Sequence, residues 1–266
     1  MIDSIVTTVD VYDLIVVKSR KDSLVSVTMH GMGSEAIQFE NNNAARAAEL
    51  FCKRFSTNGA DVTVYKNIPM GAGLGGSSAD AAGVLNALAD LYKITDLAAL
   101  GEIADLTGSD TRYMLTGGYA RLTGRGNAVR RIKSGLKAHF LLALPNSPVS
   151  TAECYALYDK LNLKSATDNN AEIALVENDF STLAKNVNNA LFAPATSLNC
   201  AVKEAYDSLA ALNPPAVNMT GSGSGVYAMF ENAEFADYAA SRYRGRAKIY
   251  RLKTVSPKIK GEKKEI

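Results

Sequence analysis

The sequence predicts an α+β fold made of two domains. Segments rich in valine and isoleucine indicate strands near the start, helical stripes and strands alternate through the middle, and the second half repeats this mixture without repeating the sequence. The 266 residues, 47% of them hydrophobic, can bury the core of one large domain or two small ones. We place an amino-terminal domain at residues 1–144, a carboxy-terminal domain at 145–256 and a basic tail at 257–266.

Composition narrows the classes of partner. The net charge of +2 gives no global attraction to nucleic acid or to a membrane surface. Met1 is followed by Ile-Asp-Ser-Ile-Val, and no run of about 18 apolar residues exists, so neither a secretion signal nor a membrane span is expected. Cys52, Cys154 and Cys200 are far apart and form no Cys-x-x-Cys pair, which favours reduced thiols and a cytoplasmic location.

The first elements are strands followed by a helix. Within residues 2–29, "SIVTTVDVYDLIVVKS" and "SLVSVTM" have the composition of strands, and the polar "RKD" between them suits a hairpin connection. Asn43 is expected to cap the helix that follows. The apolar residues of that helix recur at spacings of three and four, which predicts one buried face: Ala44, Ala47, Ala48, Phe51 and Phe55.

A strand then leads into a glycine-rich loop and a helix. "ADVTVYKNIP" alternates Val62 and Val64 with polar neighbours, as a strand does. Past the loop, an apolar stripe predicts a helix, and a second helix is expected from about Asp96 to Gly108, a candidate left-handed residue. The stripe consists of Ala81, Leu85, Leu88 and Tyr92. "YMLTGGYARLTGRG" and "AHFLLALP" have the composition of strands.

The second half contains further helices and strands. Helices are expected near 151–162, near 196–212 and from about 234. The strands are expected at "PAVNM", "VYAMF" and "KIYRLKTV", with the loop "TGSGSG" between the first two.

The loop "GAGLGG" at residues 71–76 admits three ligand interpretations. It matches G-x-G-x-x-G, but a dinucleotide fold would place an acidic residue after the next strand, and here two helices follow. A P-loop would need lysine at Ser77. The third interpretation is another phosphate cradle, in which loop amides and the helix amino terminus hold a triphosphate.

A purely structural role for this loop is the competing interpretation. Ser77 and Asp80 have the spacing of a capping box, which would account for both residues without any ligand. A capping box does not explain the preceding glycines, each of which costs about 0.5 to 1 kcal/mol of backbone entropy where alanine would fit. Phosphate binding is therefore favoured, and valine at Gly73 is expected to clash with the phosphates while leaving the fold intact.

Several stretches resemble one family of kinases. "PMGAGLGGSSADAA" resembles the second signature of the GHMP kinases, and "NMTGSGSGVYAMF" resembles their third. "GSDTRYMLTGGYARLTGRG" is similar to a Gly-Ala-Asp-Val-Pro segment of the family, and "PVSTAECYALYD" to the start of its second domain. The resemblance implies a two-domain GHMP kinase fold, with a ribosomal protein S5 domain 2-like amino-terminal domain and a ferredoxin-like carboxy-terminal domain. It also implies that the two glycine loops meet.

The same resemblance implies an activity and its residues. The expected reaction is ATP- and Mg²⁺-dependent phosphorylation of a hydroxyl of a cytidine diphosphate-linked methylerythritol, on the non-mevalonate route to isoprenoids. Asp110 would be the catalytic carboxylate, and Ser77 or Ser78 would face Mg²⁺. The nucleotide-binding residues would be Asn42, Pro69, Met70, Gly71, Ala72, Gly73, Leu74, Gly75, Gly76, Ser77, Ser78 and Ala79, and the substrate-binding residues would be Thr220, Gly221, Ser222 and Gly223.

Structural roles remain open for some of these residues. Asp110 could be an ordinary aspartate after a helix, residues 220–225 a hairpin turn, and Asn42 a helix cap. Thr151 is expected to be no more than part of a helix start, together with Ser150.

The sequence also departs from the family pattern. The family has Lys-Leu-Asn and Gly-Tyr-His ahead of the segment that Met1-Ile2-Asp3-Ser4 resembles, and these supply a catalytic lysine and a grip on cytosine. Thr111 and Arg112 replace Val-Pro after Asp110, which predicts a flexible, charged turn. A truncated or noncatalytic nucleotide-binding paralogue is therefore the alternative function.

Overall fold

The computed structural model describes residues 2–31, 33–34, 42–162 and 169–256. The predicted tail at 257–266 lies outside these ranges. The described chain divides into two compact units. The first takes the chain up to Met70 and from Gly75 to Arg131, and the second takes Gly71–Leu74 and Ile132–Val255.

Two three-stranded sheets lie in the first unit. One has the order β2 (Leu14–Ser19), β4 (Ala60–Lys66), β3 (Val25–Gly31), with β4 antiparallel to β2 and parallel to β3. The other is fully antiparallel, with the order β1 (Ile2–Val6), β5 (Ala120–Gly124), β6 (Ala128–Arg131).

The predicted hairpin between β2 and β3 is wrong. The chain at Gly59 enters between the two strands: its carbonyl accepts the Arg20 amide at 3.0 Å, and its amide donates to the Asp22 carbonyl at 2.7 Å. β4 buries Val62 and Val64 completely or nearly so, whereas β2 and β3 alternate half-buried and exposed residues. The most buried of the three strands thus takes the centre of the sheet, where it hydrogen-bonds on both sides.

The described part of this unit also contains the helices α1 (Asn43–Phe55), α2 (Gly76–Tyr92), α3 (Leu97–Thr107) and α4 (Thr111–Met114). The predicted apolar stripes of α1 and α2 are confirmed, because they form one core with β4. Its fully buried large side chains include Phe51, Leu85, Leu88, Val62 and Val64.

Three local predictions in this unit need correction. The cap of α1 is Asn42 rather than Asn43, since the Asn42 side chain accepts the amides of Ala44 and Ala45. Gly108 ends α3 in extended backbone, with φ of −173°, and is not left-handed. The segment expected to begin a strand at Tyr113 starts with α4 instead, and only its second half forms β5.

The second unit holds a four-stranded antiparallel sheet with the order β10 (Lys248–Lys253), β7 (His139–Leu144), β9 (Val226–Phe230), β8 (Ala216–Met219). Its helices are α5 (Thr151–Leu161), α6 (Asn170–Glu177), α7 (Phe180–Asn186), α8 (Phe192–Leu198), α9 (Cys200–Ala210) and α10 (Ala233–Arg242). The predicted strands and the helices at 151 and 234 are confirmed. No prediction covered α6 or α7.

Two features of the second unit differ from expectation. The helix predicted over 196–212 is two helices, because Asn199 ends α8 and its side chain accepts the Ala201 amide at the start of α9. The division between the units at Arg131 and Ile132 precedes the predicted boundary at residue 145. The reason is that β7 hydrogen-bonds to β9 and β10, so it belongs to this sheet. Among the described helices, none is both long and apolar enough to cross a membrane.

Candidate nucleotide and catalytic site

The amino terminus of α2 has no side-chain cap. Gly75 occupies the cap position in a left-handed conformation, with φ of 69°, and makes no side-chain hydrogen bond to the helix. The predicted capping box is wrong, because the helix begins two residues too early for Asp80 to reach the third helical position. The Ser77 hydroxyl instead accepts a hydrogen bond from the Asn43 side chain at 2.8 Å. The first amides of α2 are thus free of any capping side chain.

Residues Gly71–Leu74 pack backbone to backbone against the loop at 220–225. The Ser224 amide donates to the Gly71 carbonyl at 3.0 Å, and the Thr220 hydroxyl donates to the Gly73 carbonyl at 2.9 Å. The structure therefore brings the segment Gly71–Leu74 and the loop at 220–225 together within the second unit, as the family resemblance implied.

This packing changes the interpretation of Gly73. A Cβ atom at Gly73 would lie 2.1 Å from the Thr220 carbonyl oxygen, and φ is +70°. The backbone of the facing loop is therefore itself an obstacle to a side chain at this position. The expectation that valine at Gly73 would leave the fold intact is therefore wrong.

Asp110 lies beside the start of α2. A Cβ atom at Gly75 would lie 3.6 Å from Oδ2 of Asp110 and 2.8 Å from Cε of Met114. Asp110 precedes α4, but its side chain makes no capping hydrogen bond to that helix, so the carboxylate is not used as an ordinary helix cap. Burial raises the pKa of the half-buried Asp110 carboxyl above its usual range.

Two side chains of α4 hold the Asp110 segment in place through hydrogen bonds. Arg112 donates through Nε and Nη2 to both oxygens of Asp105, each at 2.6 Å. The Tyr113 hydroxyl donates to the Gly118 carbonyl at 2.7 Å. The predicted flexible turn is thus a helical turn whose charge is paired, since Asp105 on α3 supplies a bidentate partner.

Polar atoms converge on Gly108, which ends α3. A Cβ atom there would lie 3.0 Å from Oγ1 of Thr111, 3.1 Å from Oγ of Ser78 and 3.2 Å from Nδ2 of Asn43. Glycine at this position leaves space for these three side chains, and its backbone is not left-handed. It lets the buried Ser78 hydroxyl approach the segment that carries Asp110.

Two further candidate residues, Asn42 and Ser222, have structural partners. Asn42 is buried and caps α1, with its side-chain oxygen 2.9 Å from the Ala44 amide. Its contact with a nucleotide base stays a prediction. In the loop at 220–225, the Ser222 hydroxyl shares a hydrogen bond of 2.8 Å with the Thr151 hydroxyl. Thr151 therefore does more than begin a helix, whereas Ser150 is the cap of α5, as expected.

Sequence reasoning missed a residue that holds the loop at 220–225 in place. Asn189 donates from Nδ2 to the carbonyls of Met219 and Gly221, each at 2.8 Å. These bonds satisfy backbone acceptors that a tight loop leaves without partners. No sequence motif marks Asn189, because the contact joins residues about 30 positions apart.

A buried ion cluster beneath α2 was also missed. The Lys66 ammonium lies 2.7 Å from Oδ2 of Asp80 and contacts the Asp13 carboxylate, and the three side chains are only 3–5% exposed. Strand register could have revealed it: β2 pairs Leu14 with Tyr65, which puts Asp13 opposite Lys66. Burial raises the pKa of Asp80 to about 7 despite Lys66. Burial also opposes ionisation of Asp13, but its hydrogen bonds hold the net pKa below its usual value.

Replacing Asp80 with asparagine should flatten the dependence of stability on pH. A carboxyl whose pKa rises to about 7 on folding binds a proton more tightly in the folded state, so its stabilisation is lost as the pH rises from about 4 through 7. The loss reaches at most about 1.4 kcal/mol per pH unit. Urea unfolding from pH 5 to 8 should show this slope for the wild type and not for Asp80→Asn. Equal slopes would contradict the assignment.

Two family models match this chain. The family model described as GHMP kinases N terminal domain matches residues 42–118, and the one described as GHMP kinases C terminal matches residues 171–246. A 4-diphosphocytidyl-2-C-methyl-D-erythritol kinase from Caldicellulosiruptor saccharolyticus is 35% identical over 91% of this chain and 83% of its own length. This chain belongs to the GHMP kinase family. The predicted two-domain fold of that family is therefore confirmed.

Other GHMP kinases support the same placement. A 4-diphosphocytidyl-2-C-methyl-D-erythritol kinase from Exiguobacterium sibiricum is 31% identical over 91% of this chain and 84% of its own length. The crystal structure of a 4-(cytidine 5'-diphospho)-2C-methyl-D-erythritol kinase superposes with a TM-score of 0.69 and 29% identity, covering 90% of this chain and 85% of that one. A mevalonate kinase from L. major shares the fold, with a TM-score of 0.72 and 14% identity over 96% of this chain and 90% of its own.

Proposed function

We propose that this chain is an ATP-dependent kinase that phosphorylates a hydroxyl of 4-diphosphocytidyl-2-C-methyl-D-erythritol, on the non-mevalonate route to isoprenoids. The observation that carries the proposal is the position of Asp110, whose carboxylate lies beside Gly75 at the uncapped start of α2. The choice of substrate rests on relatives at 31–35% identity that carry this name.

The start of α2 fits a nucleotide triphosphate. The helix is 17 residues long, and its first amides have no capping side chain, so they and the positive end of the helix dipole can receive phosphate oxygens. Left-handed Gly75 brings the chain into the helix without a side chain above those amides. We assign residues 69–79 to phosphate binding on this basis, with Asn42 near the base.

The two serines of the first turn fit a magnesium ion held mainly by phosphate. Mg²⁺ binds oxygen ligands and is usually held by one or two protein groups together with substrate phosphates. Ser77 and Ser78 both lie in the first turn of α2, which would receive the phosphates. Ser77 is exposed, and Ser78 is buried near Gly108. When bound, the ion would neutralise charge on the transferred phosphoryl group.

Asp110 would act on the acceptor hydroxyl. Its half-buried carboxyl has a raised pKa and makes no capping hydrogen bond, so it is a stronger proton acceptor than an exposed aspartate. The carboxylate either takes the hydroxyl proton or orients the hydroxyl toward the γ-phosphate. We assign substrate binding to the loop of Thr220–Gly223 from the family resemblance. Asn189 and Thr151 hold this loop through hydrogen bonds to Gly221 and Ser222.

We also propose a cytoplasmic protein whose partners are small molecules rather than nucleic acid or membrane. The support is the net charge of +2 and the three cysteines, of which Cys52 and Cys154 are buried and all are unpaired.

Replacing Ser77 with aspartate should weaken ATP binding without lowering stability. Ser77 is exposed in the first turn of α2, where a carboxylate interacts favourably with the helix dipole but repels the phosphates of ATP. We expect the Kd for ATP, measured by calorimetry, to rise about 10-fold or more, which corresponds to about 1.4 kcal/mol.

Ser77→Asn is the matched control, because asparagine has nearly the shape of aspartate but carries no charge. Its Kd for ATP should stay much closer to the wild-type value. Equal affinity of the aspartate variant and the wild type would remove this helix terminus from the proposed site. A chain that binds ATP but shows no phosphoryl transfer to the cytidyl substrate would favour the noncatalytic alternative.

A further inference from the structure

The buried ion cluster of Asp13, Lys66 and Asp80 is joined to both ends of the glycine loop. On the entry side, the Asp13 carboxylate accepts the Ile68 amide at 2.7 Å and also accepts the Asn67 amide. On the exit side, Asp80 in α2 accepts the Lys66 ammonium at 2.7 Å. Lys66 itself bridges the two carboxylates.

Close packing reinforces this connection. A Cβ atom at Gly76, the first residue of α2, would lie 3.1 Å from Cγ2 of Ile68 and 3.6 Å from Nζ of Lys66. The start of the helix therefore rests directly on the entry segment. Lys66 is 4% exposed in its side chain, and both carboxylates face its ammonium, so the lysine serves as a link between them.

We propose that Asp13 is a positioning residue for nucleotide binding: its carboxylate holds the entry segment at Asn67 and Ile68 and, through Lys66, ties that segment to Asp80 on α2. This inference rests on the proposed function. A loop held in its binding shape before ATP arrives loses less conformational entropy on binding, so the effect falls on affinity for ATP. Asp13 does not contact the reacting atoms in this scheme, and the chemical step should change little.

The test compares Asp13→Ala with Asp13→Asn. Alanine removes the acceptor for both amides and one partner of Lys66. Asparagine retains an oxygen that can accept the two amides, but its NH2 group cannot accept the Lys66 ammonium, so it loses the charge and that one contact. We expect the KM for ATP to rise about 10-fold for Asp13→Ala and less for Asp13→Asn, with kcat within about 2-fold of wild type. Hydrogen exchange at the Asn67 and Ile68 amides should accelerate about 10-fold or more in Asp13→Ala.

Asp96→Ala is the control for a general loss of stability. Asp96 is exposed, caps α3 in the same unit and accepts the Ala99 amide at 3.0 Å, so its removal also deletes an aspartate–amide bond. Its KM for ATP should stay at the wild-type value. If Asp13→Ala fails to fold, Asp13→Asn is compared with the wild type instead, and its KM for ATP must still be higher than the wild-type value.

The outcomes separate this inference from the proposed function. Unchanged exchange at Asn67 and Ile68, or faster exchange with unaltered KM, would overturn the positioning role alone. Absence of ATP binding by the unsubstituted chain would overturn the proposed function and this inference with it.

Discussion

Replacing Asp110 with asparagine should lower kcat about 100-fold or more while leaving the affinity for ATP nearly intact. A positioned acid or base contributes about 10² to 10⁴ in rate, and asparagine keeps the shape of the side chain but cannot take a proton. The carboxylate makes no capping hydrogen bond to α4, so its removal should not unfold the segment. Steady-state phosphoryl transfer to the cytidyl substrate, with calorimetry for ATP, measures both effects.

The dependence on pH gives an independent check of Asp110. Burial raises its pKa, and the ionised form is the one that accepts a proton, so kcat/KM of the wild type should fall as the pH is lowered through that raised value. Asp110→Asn should lack this fall in its residual activity. Asp96→Asn, which retains a good cap for α3, should behave as the wild type does. Wild-type turnover in Asp110→Asn would remove this residue from the mechanism.

Replacing Gly73 with alanine should destabilise the second unit by about 3 kcal/mol or more. A Cβ atom at this position would lie 2.1 Å from the Thr220 carbonyl oxygen, so the two glycine loops would have to separate and break the hydrogen bond from Thr220. The expected result is a lower Tm and a lower denaturant midpoint, accompanied by weaker ATP binding.

Gly71→Ala provides a matched control for that substitution. Gly71 has nearly the same backbone angle, with φ of +67°, but its nearest neighbour would be Cβ of Pro148 at 3.3 Å. It should therefore show only the cost of a left-handed alanine, about 1 to 2 kcal/mol. Equal destabilisation by the two substitutions would show that backbone angle, and not contact with Thr220, makes glycine necessary at residue 73.

Local pattern was a reliable guide to most elements because it records which face of each element is buried. The stripe from Ala44 to Phe55 and the alternation at Val62 and Val64 lie in one core, as their spacing predicted. The glycine loop and Asp110 could also be located, since their motifs are contiguous in sequence. The structure places Asp110 beside Gly75, and the catalytic role stays a prediction until Asp110→Asn is measured.

Errors arose where a residue's partner is distant in the chain. Ser77 and Asp80 fit a capping box by spacing. In the structure, however, Lys66 donates a hydrogen bond to the Asp80 carboxylate, and Asn43 donates one to the Ser77 hydroxyl. Likewise, polar residues between β2 and β3 suggested a hairpin, but the later strand β4 lies between them and hydrogen-bonds to both. In each case a long-range contact outweighed the local preference.

By itself, the sequence determined most of the strands and helices, the phosphate-type loop and membership of the GHMP kinase family, because each of these depends on neighbouring residues. Only the tertiary structure decided strand order, the uncapped start of α2, the need for glycine at residue 73 and the ion cluster of Asp13, Lys66 and Asp80. The physical reason is that these features depend on burial and on contacts between residues far apart in sequence. Both depend on which distant segments the core brings together.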